Sequence, residues 1–453
     1  MSEGYMMHQY LFKLPIAQII KDIYEQQSLT IKDIALHLGC TIRKIKLIEI
    51  QENLNDVYTK EQVNSLVKFL DIKEVELSKE KIKHFKQQLS MWREKISQGK
   101  LGAAARHLEE CSLHEITYLP FDYNLIMHYE MFNIKFILAR RDYDLAERLL
   151  SEIEVKKLSV ENKYHYYYNF GTLHIYKKKY DAALKFFTKA YETEFIDDKG
   201  YEHSLHYNLG LCYTYLGMSL RAVLCLEQAD KLLKRDNASL FPICLDNVLA
   251  VNYMRLGELH LSKKRIVKSL GHAKTLKNKE HIGIAIHNLG CLSMKEKEFD
   301  RALEYFNKEL EFIEEGEREH YENLFYKILC RIMSDNSWAK SDLSYATKLA
   351  QNRDDKEYSA LFESLSHLLS LEEESSVEYI ETVTIPSLME KHDYQRILYY
   401  YQIMESFFSK NGNKTKVLEI NLASYNLFKI MIQGGRTYDK KIDWPDVAFS
   451  HGI

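Results

Sequence analysis

Apolar residues recur along most of this chain at helical spacing. Segments such as FYKILCRIM, ALFESLSHLLSL and ILYYYQIMESFF set them three and four apart, and the pattern persists to about Ile432. Five prolines (15, 120, 242, 386 and 445) and 17 glycines are spread over 453 residues, too few breakers for strands joined by tight turns. The pattern predicts an all-α chain.

A longer period lies over the helical one. Four segments share a layout: YYNFGTLHIYKKKYDAALKFFTKAYE from Tyr167, HYNLGLCYTYLGMSLRAVLCLEQADK from His206, NVLAVNYMRLGELHLSKKRIVKSLGH from Asn247, and IHNLGCLSMKEKEFDRALEYFNKELE from Ile286. Aligned on a small residue of the first helix (Gly171, Gly210, Ala250, Gly290), they are 39, 40 and 40 residues apart. Twelve residues after each anchor stand Ala183, Ala222, Ser262 and Ala302, and four further on Phe187, Leu226, Ile266 and Phe306. Small residues let two helix backbones approach, and a large apolar residue one turn later fills the space beside them.

These segments resemble tetratricopeptide (TPR) repeats, in which Gly or Ala, Tyr, Ala and an aromatic recur at these offsets. Tyr213 and Tyr253 keep the tyrosine position, while His174 and Ser293 depart from it. A period above the 34 residues usual for such repeats implies longer helices or loops, and leaves a HEAT-like arrangement as the alternative. Weaker copies flank the clear ones, FKQQLSMWREKISQGKLGAAARHLEE and NIKFILARRDYDLAERLLSEIE on the N-terminal side. Roughly eight or nine helix pairs would stack into a right-handed superhelix spanning 77–436. GGRTYDKKIDWPDVAFSHGI then reads as an irregular tail, 437–453.

The first 76 residues have another texture. PIAQIIKDIYEQQ makes an amphipathic helix with Pro15 in its first turn. In LTIKDIALHLGCTIRKIKLIEIQEN, Ile34, Ala35 and Leu38 face a core, Gly39 permits a tight turn, and Thr41 caps a second helix whose apolar face continues through Ile45 and Ile48. TKEQVNSLVKFLDI and VELSKEKIKHF supply closing helices. The stretch resembles the Xre-type helix-turn-helix through Leu29, Thr30, Ile34, Ala35, Leu38, Gly39, Thr41, Ile45 and Glu49. It departs at Ile31, where that family usually carries glutamine, and at Ile42 and Leu47, which replace polar residues of the reading face. The DNA-contacting set expected here is Lys32, Thr41, Arg43, Lys44 and Lys46. A degenerate domain that docks protein instead is the alternative.

Net charge is −3, so DNA binding would come from a local patch. Seven cysteines, none in a CxxC pair, read as reduced thiols, and the N-terminus lacks the features of a signal peptide. A cytoplasmic chain with no membrane span is expected. HExxH, GxSxG, P-loop and Rossmann patterns do not occur, and neither an enzyme nor a cofactor is expected. His107, Cys111 and His114 have a metal-like spacing but lack a fourth ligand, and read as ordinary helix residues.

On the first helices of the repeats, Asn169, Asn208 and Asn288 share one position and Asn247 lies one residue earlier. An asparagine side chain both donates and accepts, so it can clamp an extended peptide backbone, or bond across to a neighbouring helix. Tyr168 and Tyr207 precede two of them, and Arg255, Lys295 and Arg331 lie on or near the same face, suited to a carboxylate. The run YHYYY reads as a packing element ahead of a ligand cage.

A helix-turn-helix followed by an asparagine-bearing TPR array resembles the RRNPP family of quorum-sensing regulators. The resemblance implies a homodimeric receptor for a short signalling peptide, with binding to a palindromic DNA operator switched by that peptide. It assigns the peptide backbone to Asn169, Asn208, Asn247 and Asn288, and with Tyr168, Tyr207, Arg255 and Arg331 on or near the same face these make the expected peptide-binding set. Alternatives are a Rap-like response-regulator phosphatase and a TPR scaffold.

Overall fold

The computed structural model describes residues 30–37, 39, 41–42, 79–97, 99–111, 123–195, 202–233, 240–335 and 337–433. Among the described residues every regular element is helical. Most of the expected helix-turn-helix, including Arg43, Lys44 and Lys46, and the tail after 433 lie outside them. The chain divides into two compact units, Met1–Leu173 and His174–Ile453.

In the first unit, α1 (Ile31–His37) begins where the sequence signals a start. The Thr30 hydroxyl and backbone N–H both donate to Asp33 Oδ2, at 2.6 and 2.7 Å, closing the first turn. Ile34 and Ala35 are buried and Gly39 turns with φ +60°, as the pattern requires. Next come α2 (Lys79–Ser97), α3 (Leu101–Glu110), α4 (Tyr123–Ala139), α5 (Tyr143–Ser151) and α6 (Val160–Tyr176), which crosses into the second unit. Their core gathers Leu89, Trp92, Tyr129, Phe132 and Leu150, with the Trp92 and Tyr129 rings stacked 5.8 Å apart. Asp142 caps α5 by accepting from the Leu145 N–H at 3.2 Å.

The second unit holds the repeat pairs. They are α7 (Tyr180–Tyr191), α8 (Glu202–Tyr215) with α9 (Ser219–Leu232), α10 (Phe241–Arg255) with α11 (Leu259–Thr275), and α12 (Lys279–Lys295) with α13 (Phe299–Glu309). The anchors do what their size predicts. A Cβ on Gly210 would lie 2.6 Å from Leu226 Cγ, and one on Gly290 2.6 Å from the Phe306 ring. At the third anchor the Ser262 hydroxyl donates to the Ala250 carbonyl at 2.9 Å, tying the two helices directly.

Each pair also turns the same way. Lys178, Gly217, Gly257 and Lys297, seven residues after the anchors, all have positive φ, between 56° and 85°. The next N–H reaches back to close the helix: Lys179 to His174 O, Met218 to Tyr213 O, Glu258 to Tyr253 O and Glu298 to Ser293 O, at 2.8–2.9 Å. The long period comes from long helices, 17 residues each in α11 and α12.

Beyond the clear repeats follow α14 (Arg318–Met333), α15 (Ala339–Asn352), α16 (Lys356–Leu368), α17 (Glu374–Tyr379), a π-helical turn, α18 (Ile385–Glu390), α19 (Tyr394–Lys410) and α20 (Lys414–Gln433). These late helices fold back on the early ones. Tyr394, at the start of α19, presses its ring against Gly217, where a Cβ would meet it at 2.3 Å. Helix α20 packs against α9.

Candidate functional site

Two repeat positions lie seven residues, or two helical turns, apart and so share a face of each first helix. One holds Asn208 and Asn288, and the other holds Tyr215, Arg255 and Lys295. Tyr215 stacks flat on Tyr180 at 4.2 Å. Arg255 donates from Nη1 to the Thr214 carbonyl at 2.8 Å. Lys295 places Nζ 4.7 Å from the centre of the Tyr399 ring.

Arg255 and Lys295 sit in each other's field, and neither forms an ion pair among the described residues. Burial lowers the pKa of both, that of Lys295 to about 8, with the Arg255 charge adding to the effect. Two other arginines of this unit are matched by acids. Arg396 bonds Glu322 Oε2 at 2.5 Å and Asp393 Oδ2 at 2.8 Å, and Tyr358 donates to Glu322 at 2.8 Å. Arg265 pairs with Asp230 and Asp246 at 2.8 and 2.7 Å. Two neighbouring cations, of which Arg255 feels only an Asp393 already paired with Arg396, are suited to an incoming anion.

The asparagines divide. Asn169 is buried and donates to the Met131 carbonyl at 2.7 Å. Asn247 is buried and accepts from the Ser269 hydroxyl at 2.7 Å. Both thus make the inter-helix bond that the sequence left as an alternative. Asn288 is 7% exposed and makes no side-chain hydrogen bond among the described residues, and Asn208 is half-buried. Tyr168 is half-buried and stacks on Tyr164 at 6.0 Å, and Tyr207 packs against Phe241 at 4.9 Å. Arg331 pairs with Asp342 at 2.8 Å, so its charge is matched. The structure therefore brings Arg255 together with Lys295, and places Asn288 on the Lys295 helix. Of the expected DNA-contacting set, Lys32 and Thr41 are described, and both are exposed.

Other clusters escaped the sequence pattern. His128, Glu161 and His165 each offer a ligand atom within 4.8 Å of the others, enough for a three-ligand metal site. Burial lowers the pKa of both histidines and favours neutral rings, but Lys86, 3.7 Å from Glu161, and the nearby Arg93 charge oppose a cation. The i, i+4 spacing of Glu161 and His165 was visible, but their approach to His128 is tertiary. His107 and Cys111, by contrast, are taken up by Gln88: the imidazole Nε2 lies 3.0 Å from its carbonyl and the thiol 3.2 Å from its side-chain oxygen. His114 lies outside the described residues.

No described helix is long and apolar enough to cross a membrane. Residues 164–195 match the tetratricopeptide repeat family model. The transcriptional activator NprA of Geobacillus stearothermophilus is 25% identical over 329 residues, 68% of this chain and 79% of NprA. A Rap protein complexed with competence and sporulation factor superposes with a TM-score of 0.62 at 15% identity, over 77% of this chain and 99% of that one. The quorum sensor NprR in complex with its cognate peptide NprX does so at 0.57 and 20% identity, over 76% and 98%. Sequence and fold together bear out the resemblance carried by the repeats: this chain folds as a tetratricopeptide-repeat array, similar to the Rap protein and NprR in fold and to NprA in sequence.

Proposed function

We propose that this chain is a cytoplasmic quorum-sensing transcription regulator whose DNA binding is switched by a short peptide held on the face bearing Asn288, Arg255 and Lys295. The observation that carries the reading is the pair of half-buried cations that make no ion pair among the described residues, on the same repeat position of successive helix pairs. A peptide carboxylate, terminal or side-chain, supplies the missing charge, and the Asn288 amide is spare for the peptide backbone. The protein acts by binding rather than catalysis. The Rap fold likeness does not separate a regulator from a phosphatase. The Leu29–Gly39 pattern and the extended similarity to a transcriptional activator favour the regulator.

Ligand binding would favour one curvature of the array and with it one spacing of two DNA-reading domains in a homodimer. Half-sites roughly 34 Å apart tolerate little error. Reversing such an equilibrium takes about 5 kcal/mol of differential affinity.

The test begins with the purified chain and sheared DNA of its own genome, with recovery and sequencing of what stays bound. It is run alone and with synthetic peptides encoded by short reading frames beside the gene. Enrichment of one palindromic site, lost in the Arg43→Ala/Lys44→Ala variant, is expected. A peptide that alters this enrichment should bind the Lys295→Gln variant about 10- to 100-fold more weakly, the loss of one charge-assisted contact. Its affinity for the wild type should fall as pH rises through about 8, where Lys295 loses its proton. No enrichment with or without peptides overturns the regulator reading.

A further inference from the structure

The helix that carries Asn288 and Lys295 also carries a nucleophile with the neighbours that activate one. Cys291 Sγ lies 3.5 Å from His287 Nε2, one turn earlier on α12. The other ring nitrogen, Nδ1, lies 2.9 Å from Glu309 Oε2 at the end of α13. Glu309 is buried and held in place by the Asn323 amide of α14, which donates to the same oxygen at 2.7 Å and to the Phe306 carbonyl at 2.7 Å. The imidazole is also fixed by rings, 5.6 Å from Phe306 and 5.2 Å, edge-on, from Tyr326. Thiol, imidazole and carboxylate thus stand in series, with the acid orienting the base and the base reaching the sulfur.

We propose that Cys291 is a reactive thiol, converted to a sulfenic acid by hydrogen peroxide or a similar small peroxide. The thiol proton passes to His287 Nε2, and Glu309 stabilises the imidazolium. The thiolate attacks one peroxide oxygen, forming the S–O bond as the O–O bond breaks. The leaving hydroxide takes the proton from His287 and departs as water. Sulfur gives up two electrons and the peroxide accepts them, so thiol and peroxide become sulfenic acid and water. With Cys291 only 8% exposed, an oxidant of a few atoms fits this chemistry better than a bulky electrophile.

Two other buried thiols offer an internal contrast. Burial pushes the Cys212 thiol far up and the Cys330 thiol to about 12, and neither bonds an imidazole among the described residues. Lys295, one turn beyond Cys291, adds positive charge on its other side. Oxidation would therefore change charge and bulk between Asn288 and Lys295, the face assigned above to the peptide. The thiol chemistry itself needs neither peptide nor DNA.

The experiment exposes the full-length protein to hydrogen peroxide for graded times, then denatures it in dimedone and maps adducts by peptide mass spectrometry. Cys291 is expected to gain the adduct about tenfold faster than Cys212 or Cys330. His287→Gln should slow Cys291 by about tenfold and leave those two thiols at their wild-type rates, which also reports that the fold is intact. Glu309→Gln should slow it by a smaller factor. Equal rates for Cys291 and Cys212, or a His287→Gln rate equal to the wild type, overturn the proposal. Because no peptide is present, either result leaves the receptor reading to its own test.

Discussion

Single residues here carry charge states that depend on their surroundings. Glu130, on α4, is 3% exposed, and its nearest polar partner is the Asn133 amide at 3.4 Å. Burial raises its carboxyl to about 8, so the folded protein holds a proton that the unfolded chain releases near 4.5. The folded state binds more protons between those values, so stability falls as pH climbs from about 4.5 to about 8 and is flat outside that window. The loss is of order several kcal/mol, at about 1.4 per unit. Glu130→Gln keeps the shape without the titration. In urea unfolding, the variant should match the wild type near pH 4.5 and exceed it by a few kcal/mol at pH 8. An unchanged difference between the two proteins across that range would show that Glu130 does not titrate as described. In sequence Glu130 is one acid within the otherwise apolar-rich run YNLIMHYEMFNIKF. Its burial depends on what packs around α4, which no local pattern states.

At the scale of the helix, the anchors set how closely a pair can pack. Gly210 and Gly290 face Leu226 and Phe306 at distances that leave no room for a methyl group. Gly210→Ala and Gly290→Ala should each cost about 1–3 kcal/mol through overpacking. Gly271, in the interior of α11, meets nothing within 4 Å, and Gly271→Ala should instead stabilise by about 0.5–1 kcal/mol. Chemical denaturation of the three variants checks this: similar signs at all three sites would contradict it. This layer was largely readable beforehand, because small anchors, the offset of twelve and the Gly39 turn are local constraints written into residue size and backbone freedom. The ligand face was less readable. Asparagine satisfies a peptide and a neighbouring helix equally well, and only the packed structure shows that Asn169 and Asn247 bond within the protein while Asn288 does not. Arg331 looked like Arg255 in sequence and differs because Asp342 of α15 reaches it.

For the molecule as a whole, α20 poses a question that its own unit does not answer. Ile420, Leu427 and Met431 are buried and form one side of the helix. Leu418, Leu422, Tyr425 and Ile432 lie on the opposite side, and they are 71%, 59%, 65% and 46% exposed. A helix that needed only to pack on the array would carry polar residues there. Four large apolar side chains on one stripe that no described residue covers point to burial against another surface. A second copy of α20 is the occupant that fits the homodimer proposed above, since a two-fold contact sets a stripe against itself. Leu422→Lys with Tyr425→Lys should then turn a dimer into a monomer in light scattering behind gel filtration, with helical content unchanged by circular dichroism. Operator binding by that variant should weaken as well, because two DNA-reading domains would no longer be joined. A wild-type chain that elutes as a monomer at high micromolar concentration, or a variant that stays dimeric, would remove the second copy from this face. It would leave the stripe to a different partner, and the array would then have to control DNA binding within one chain.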